Sequence, residues 1–312
     1  MQILLDIIVP VFGVVAIGYA AARLGWLSKA GAEGLVAFVF NFAIPAMLFR
    51  AMATRAMPDP IDWGFLIAYF GGGYLVWGLG MVISRQGFRR HFDEASVAGM
   101  GAAFGNTVML GAPLVLMTYG EAGMLPAFLI ISFHSWQLIA VVTALVEGAR
   151  GNRDQLSDIP GNVVRGLVAN PILIGLVAGV LWNLSGLPLP AVVDGIAGML
   201  GKAAIPCALF SMGASLAVYR ITGALAESTA TVTLKLALHP LAVYLLGTYV
   251  FALEPMWRDV AVLMAAMPIG VNVYLFAQRY DAGTAPAATA IVISTAVSVL
   301  TVALVLHGLE VR

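Results

Sequence analysis

Charged side chains are scarce in this chain of 312 residues: 10% are Asp, Glu, Lys or Arg, against about 25% in a soluble globular domain. A surface so poor in charge cannot be mostly wet. The sixteen basic and sixteen acidic residues cancel, which removes the long-range attraction that would draw nucleic acid. A single cysteine, Cys207, excludes an internal disulfide framework and a cysteine-based metal cluster. No HExxH, P-loop or strand-following GxGxxG occurs, and the scattered Ser, His and Asp residues have no spacing that recommends a triad. The chain therefore reads as no enzyme, with no cofactor. What it has in quantity is apolar residues, 61% of the whole, with 34 glycines and 15 prolines. Membrane helices tolerate both, because they pack closely and break locally. Gly71-Gly72-Gly73 reads as close helix packing, not phosphate binding.

A helix needs about 20 mainly apolar residues to cross a bilayer. Runs of that size are expected at 3–23, 34–54, 62–84, 95–119 and 124–147, and again at 163–184, 190–218, 228–252, 256–279 and 284–307. The first begins apolar at Met1-Gln2-Ile3-Leu4-Leu5, without a basic segment, and reads as an uncleaved span. With the N-terminus outside, the inside loops hold Arg23, Lys29, Arg85, Arg89, Arg90, Arg150, Arg153, Arg165, Arg220 and Arg279. The outside keeps Arg55, Arg258 and Arg312. Basic loops stay inside, so both termini are expected to face outward, which an even number of spans permits.

The polar interval at 148–162 divides the chain into two sets of five spans, 1–147 and 163–312. Since five is odd, the halves would be inserted with opposite orientation. A shared string supports a repeat. Ala43-Ile44-Pro45-Ala46-Met47-Leu48-Phe49 and Ala204-Ile205-Pro206-Cys207-Ala208-Leu209-Phe210 agree at five of seven positions, in the second span of each half. Inverted repeats are a transporter architecture, with the binding site near the midplane where the repeats meet.

The fourth and ninth spans place glycine, proline and asparagine close together: Gly105, Asn106, Thr107, Gly111 and Pro113 in one, Pro268, Gly270 and Asn272 in the other. Proline removes a backbone donor and glycine frees the backbone to leave helical geometry. Two broken helices in corresponding positions point to a substrate site, and their half-helix N-termini suit an anion; the plainer alternative is a pair of proline kinks. One turn before the repeated prolines Pro45 and Pro206, read as breaks in the second and seventh spans, stand Asn41 and Lys202. A lysine near the bilayer centre is costly, so Lys202 is expected either to meet a substrate carboxylate or to be structural, bonding backbone carbonyls or snorkelling to an interface. His134 in the fifth span either carries an anion or coupling proton or is a satisfied packing residue. Lys235 and Arg50 lie toward span ends, where snorkelling is cheap, and His239 beside Pro240 reads as structural.

Three stretches carry a family resemblance: Asn41-Phe-Ala-Ile-Pro45, Gly105-Asn106-Thr107, and the run from Met267 to Tyr280 that reads Met-Pro-Ile-Gly-Val-Asn-Val-Tyr-Leu-Phe-Ala-Gln-Arg-Tyr. Through them the chain resembles the auxin efflux carrier family over essentially its whole length, in particular its bacterial malonate-transporter branch. The resemblance implies an all-α integral membrane fold of ten helices in two inverted five-helix repeats, as in bile-acid-symporter and sodium/proton-antiporter folds. Spans 1, 2, 6 and 7 would form a scaffold, and spans 3–5 and 8–10 a mobile unit in which broken helices 4 and 9 cross. Substrate would sit at that crossing, near Asn106, Thr107, Asn272 and His134, the last matching a glutamine of plant members. The chain departs from the plant pattern at Gln278, where plant members have lysine, in the placing of Pro113 and Pro268, and in the third span, which lacks the acidic partner of that lysine.

The expected function is secondary transport of a small carboxylate, malonate or a relative, by an elevator-like movement in a bacterial inner membrane. The alternatives are export of an amphipathic acid or another metabolite, and a membrane sensor that uses a transporter fold. The implied partners are the substrate, membrane lipid and a second copy docked through the scaffold, with no nucleic acid and no metal site; sodium and protons are both open as coupling ions.

Overall fold

The computed structural model describes residues 4–54, 63–151, 153–221 and 223–309. Arg55 and Arg312, counted above among the outside basic residues, lie outside these. The described residues are helical almost throughout and contain no strand, only one isolated antiparallel bridge between Gly105 and Ile269. The helices are α1 (Val9–Arg23), α2 (Lys29–Phe38), α3 (Ile44–Thr54), α4 (Trp63–Gly87), α5 (Phe92–Ala103), α6 (Ala112–Tyr119), α7 (Met124–Arg150) and α8 (Arg153–Val168). They continue with α9 (Pro171–Leu184), α10 (Ala191–Leu216), α11 (Leu225–Thr233), α12 (His239–Leu245), α13 (Pro255–Ala265), α14 (Asn272–Tyr280) and α15 (Thr284–Gly308).

Among the described residues, seven helical runs are long and apolar enough to cross a membrane, or eight when the bent pair α8–α9 counts as one. The ten expected spans give fewer continuous helices for a physical reason. The fourth divides into α5 and α6, and the ninth into α13 and α14, each too short alone to span a bilayer. The polar interval at 148–162 is also largely helical: α8 runs from Arg153 to Val168 and packs against α7. The chain then turns by 59° into α9. Asn170 sets that bend, since a residue before proline is driven out of the helical region; its ψ is 112°, and its side chain caps the Ile172 N–H at 3.0 Å. Pro171 then starts α9 without losing a needed donor.

α2 and α3 form one helical run, Lys29–Thr54, joined by a π-helical turn at Val39–Ala43. Pro45 sits just after that turn, whose looser hydrogen bonding absorbs the missing donor. α10 likewise runs unbroken through Pro206. The two breaks expected at Pro45 and Pro206 are thus accommodated inside continuous helices.

Glycine sets the closest helix contacts. A Cβ on Gly18 of α1 would collide with the Phe210 carbonyl oxygen of α10, and one on Gly213 of α10 with the Val15 carbonyl oxygen of α1. In α9, a Cβ on Gly175 would lie 2.5 Å from the Pro45 carbonyl oxygen, and one on Gly179 2.6 Å from that of Phe49. Small residues let backbones approach this closely, and in a membrane such packing substitutes for the absent hydrophobic drive. Phe49 and Phe210 close the two copies of the repeated string, so equivalent residues meet glycines of α9 and α1. Arg50 of α3 is paired with Asp194 of α10 through Nε–Oδ1 at 2.6 Å and Nη2–Oδ2 at 3.3 Å. It is an ion-paired residue joining two helices, not a lone snorkelling one.

Candidate functional site

The interruption between α5 and α6 and that between α13 and α14 meet inside the protein. After α5 ends, Phe104 turns extended, with ψ 101°. The strand-like pieces then pair: the Asn106 N–H donates to the Pro268 carbonyl at 2.7 Å, and the Gly270 N–H to the Phe104 carbonyl at 3.0 Å. The Asn106 side chain caps the next half-helix, accepting from the Met109 N–H at 3.3 Å, and the Ile269 N–H donates to Ser294 Oγ of α15 at 3.1 Å. Backbone freed at this depth must be satisfied by protein or by water in a cavity, and these bonds supply part of that. Glycine makes the crossing possible. A Cβ on Gly270 would lie 2.8 Å from Phe104 Cδ1, and one on Gly111 2.8 Å from Met264 Sδ.

A cavity of about 340 Å³ opens beside this crossing. Gly105, Asn106, Thr107, Gly270 and Asn272 line it, with Ser135 of α7 and Thr295 of α15. Its opposite wall comes from Val36, Phe40, Met212 and Ser215 on α2, the π turn after it, and α10. Asn106 and Thr107 are buried. The half-helices starting at Thr107 and Asn272 turn their N-termini toward this region, so the ends of their dipoles bring partial positive charge.

His134 is buried behind the crossing. Its Nε2 lies 3.2 Å from the Gly105 carbonyl oxygen and its Nδ1 3.3 Å from Tyr69 Oη. With Nε2 protonated it donates to Gly105 and accepts from Tyr69, so it braces the crossing, while its neighbour Ser135 reaches the cavity. Pro113 follows a π-helical turn, Thr107–Gly111, as Pro45 follows its own, and Pro268 contributes its carbonyl to the crossing.

Other expected site residues lie elsewhere. Asn41 and Pro45 line a separate, open cavity of about 500 Å³ with Pro171, Gly175, Ile196 and Leu200. Lys202 is exposed midway along α10, and neither it nor Pro206 lines the cavity at the crossing. Lys235, expected near a span end, is instead fully buried in a π-helical turn, Leu234–Leu238, within the long run Leu225–Val250. The sequence held a signal for this: a lysine four residues before a histidine shares its helical face. Ser135, Ser215 and Thr295 carried no comparable mark, since single hydroxyl residues are common in membrane helices.

The sequence profile of the family described as Membrane transport protein matches residues 3–306. The chain is 30% identical over 304 residues to the "Putative malonate transporter" of Rhizobium meliloti (strain 1021), covering 95% of this chain and 92% of that one. It is 25% identical to the "Uncharacterized transporter YfdV" of Escherichia coli (strain K12), over 92% of this chain and 91% of the other. The "Auxin efflux carrier component 8" of Arabidopsis thaliana is more distant, at 23% identity over 88% of each chain. A profile matched nearly end to end, on a helical protein with seven or eight candidate membrane spans, leaves one conclusion: the chain belongs to the membrane transport protein family that includes the auxin efflux carriers, and is a multi-pass transporter and not an enzyme.

Proposed function

We propose that this protein is a secondary transporter of small organic anions, with a dicarboxylate of malonate size as its substrate. The observation that carries the reading is the cavity at the crossing, where two asparagines, four hydroxyl side chains and two half-helix N-termini converge. Asn106 and Asn272 would donate to carboxylate oxygens, Thr107 and Ser135 would complete the shell, and His134 would hold Gly105 in place. Carboxylates are well served by such amide, hydroxyl and helix-end donors. The name of the Rhizobium relative points the same way.

The proposed architecture is ten spans in two inverted halves, 1–147 and 163–312, joined by 148–162. Its supports are the repeated Ala-Ile-Pro string, the paired interruptions, and the matched glycine contacts of Phe49 and Phe210. Spans 1, 2, 6 and 7, built from α1 to α3 and from α9 and α10, would form the scaffold and its dimer face. The remaining helices would move as a unit carrying the cavity, an elevator-like displacement. Both termini would face the periplasm of a bacterial inner membrane, as the basic loops dictate.

Uptake of labelled malonate into proteoliposomes tests the reading. Wild-type protein should accumulate it, and Asn106→Ala and Asn272→Ala should each lower uptake at least about tenfold. Wild-type vesicles that take up no dicarboxylate, with or without sodium and proton gradients imposed separately, would refute it. The apolar walls formed by Phe40, Phe104, Met212 and Leu275 favour a second reading, transport of an amphipathic acid. Competition by a panel of acids separates the two: aromatic acids outcompeting malonate would select the second.

A further inference from the structure

The cavity at the crossing has no charged residue in its lining among the described residues, although an anion is its proposed ligand. A cationic side chain lies one layer behind it. Lys235 is fully buried, and a Cβ on Gly105 would fall 3.3 Å from both its Cε and its Nζ. Gly105 itself lines the cavity, so a single thickness of backbone separates the ammonium from the ligand space. Glycine at 105 is what lets the lysine come so near.

The setting of Lys235 is unusual for a lysine. Its Nζ donates to the carbonyl of Ala265, the last residue of α13, and lies 3.2 Å from His239 Nδ1. A cation there complements the negative end of the α13 dipole. The other titratable groups packed around it are Tyr69 of α4, with its ring 5.6 Å from His239, and His134 of α7, bonded to Gly105. No carboxylate pairs with it among the described residues. An unpaired ammonium in so dry a place is costly, and a negative ligand just across Gly105 is the partner the surroundings lack.

We infer that Lys235 is the counter-charge of the transported anion, acting through the backbone of the crossing without touching the ligand, and that it sets the preference for doubly over singly charged substrates. Resting on the transport reading above, this deepens it. Lys235 is a positioning and selectivity residue: its field, little screened in a water-poor interior, adds to that of the two helix N-termini. Asparagines and hydroxyls supply geometry, and the lysine supplies sign.

The test compares malonate, a dianion, with its monoamide, a monoanion of nearly the same size, in proteoliposomes holding wild-type protein or Lys235→Met. The inference expects the KM of the monoamide to rise about tenfold in the variant and that of malonate about a hundredfold, a tenfold shift of their ratio, because the lost field acts on one charge in the first and on two in the second. A structural role alone would impair both substrates in parallel, and that result would overturn the inference while leaving the transport reading intact. Should Lys235→Met not yield folded protein, Lys235→Gln keeps a donor for the Ala265 carbonyl without the charge and carries the same expectation. Wild-type vesicles that transport neither acid would sink the transport reading, and this inference with it.

Discussion

Two regions of this protein carry prolines and neighbouring polar residues, each represented once in either half of the sequence, yet only one of them leaves the helix. At Pro45 and Pro206 the chain stays helical, in one case helped by a π turn. At Gly105–Asn106 and Pro268–Gly270 it becomes extended and pairs with its counterpart. Proline is common to both regions, so proline does not decide. Glycine does, together with the presence of a second interrupted segment whose carbonyls and N–H groups satisfy the first. Backbone groups released in a membrane interior need such partners. The segments at Pro45 and Pro206 lack them.

The contrast can be broken most forcefully at Gly270. A side chain there must enter the space of the Phe104 ring, so Gly270→Leu is expected to cost about 1–3 kcal/mol through overpacking and to abolish uptake. Thermal unfolding in detergent reads the first effect, and an unchanged midpoint would show that the crossing does not need glycine. Asn106→Ala comes next. It removes the cap on the Met109 N–H and should lower stability by about 1 kcal/mol, the usual value of an N-cap, beside its larger effect on uptake. The smallest effect belongs to the other region: Lys202→Gln, at an exposed position, should change stability by less than about 0.5 kcal/mol and leave the KM for malonate where it was. A raised KM would return Lys202 to the binding site and erase the difference between the two regions.

Much of this was legible in the residues themselves. Composition dictated a membrane protein, and the glycine, proline and asparagine clusters marked both interruptions, because those residue types act through local backbone chemistry. Asn106 and Asn272 were nominated that way and Thr107 through the family resemblance, and the structure brings all three to one cavity. Lys202 and Asn41 were nominated on proximity to proline, a local signal that says nothing about which way a helix face points once packed. Lys235 was misplaced for the converse reason. Its burial depends on other helices, α4, α5 and α13, and the face it shares with His239 marks a polar side of the helix without reporting which helices cover it. The helical nature of 153–162 was hidden by its polarity, since an amphipathic surface helix and a polar loop have similar composition.

The glycines that seat α1 against α10 and α9 against α3 have a mechanical consequence. Backbone pressed on backbone, with no flexible side chains between, behaves like interlocked teeth: neither partner can slip along the other without lifting clear first. The glycines thereby lock α1 on α10 and α9 on α3, and the Arg50–Asp194 bridge ties the two pairs together, so separating any of these partners means lifting backbone off backbone.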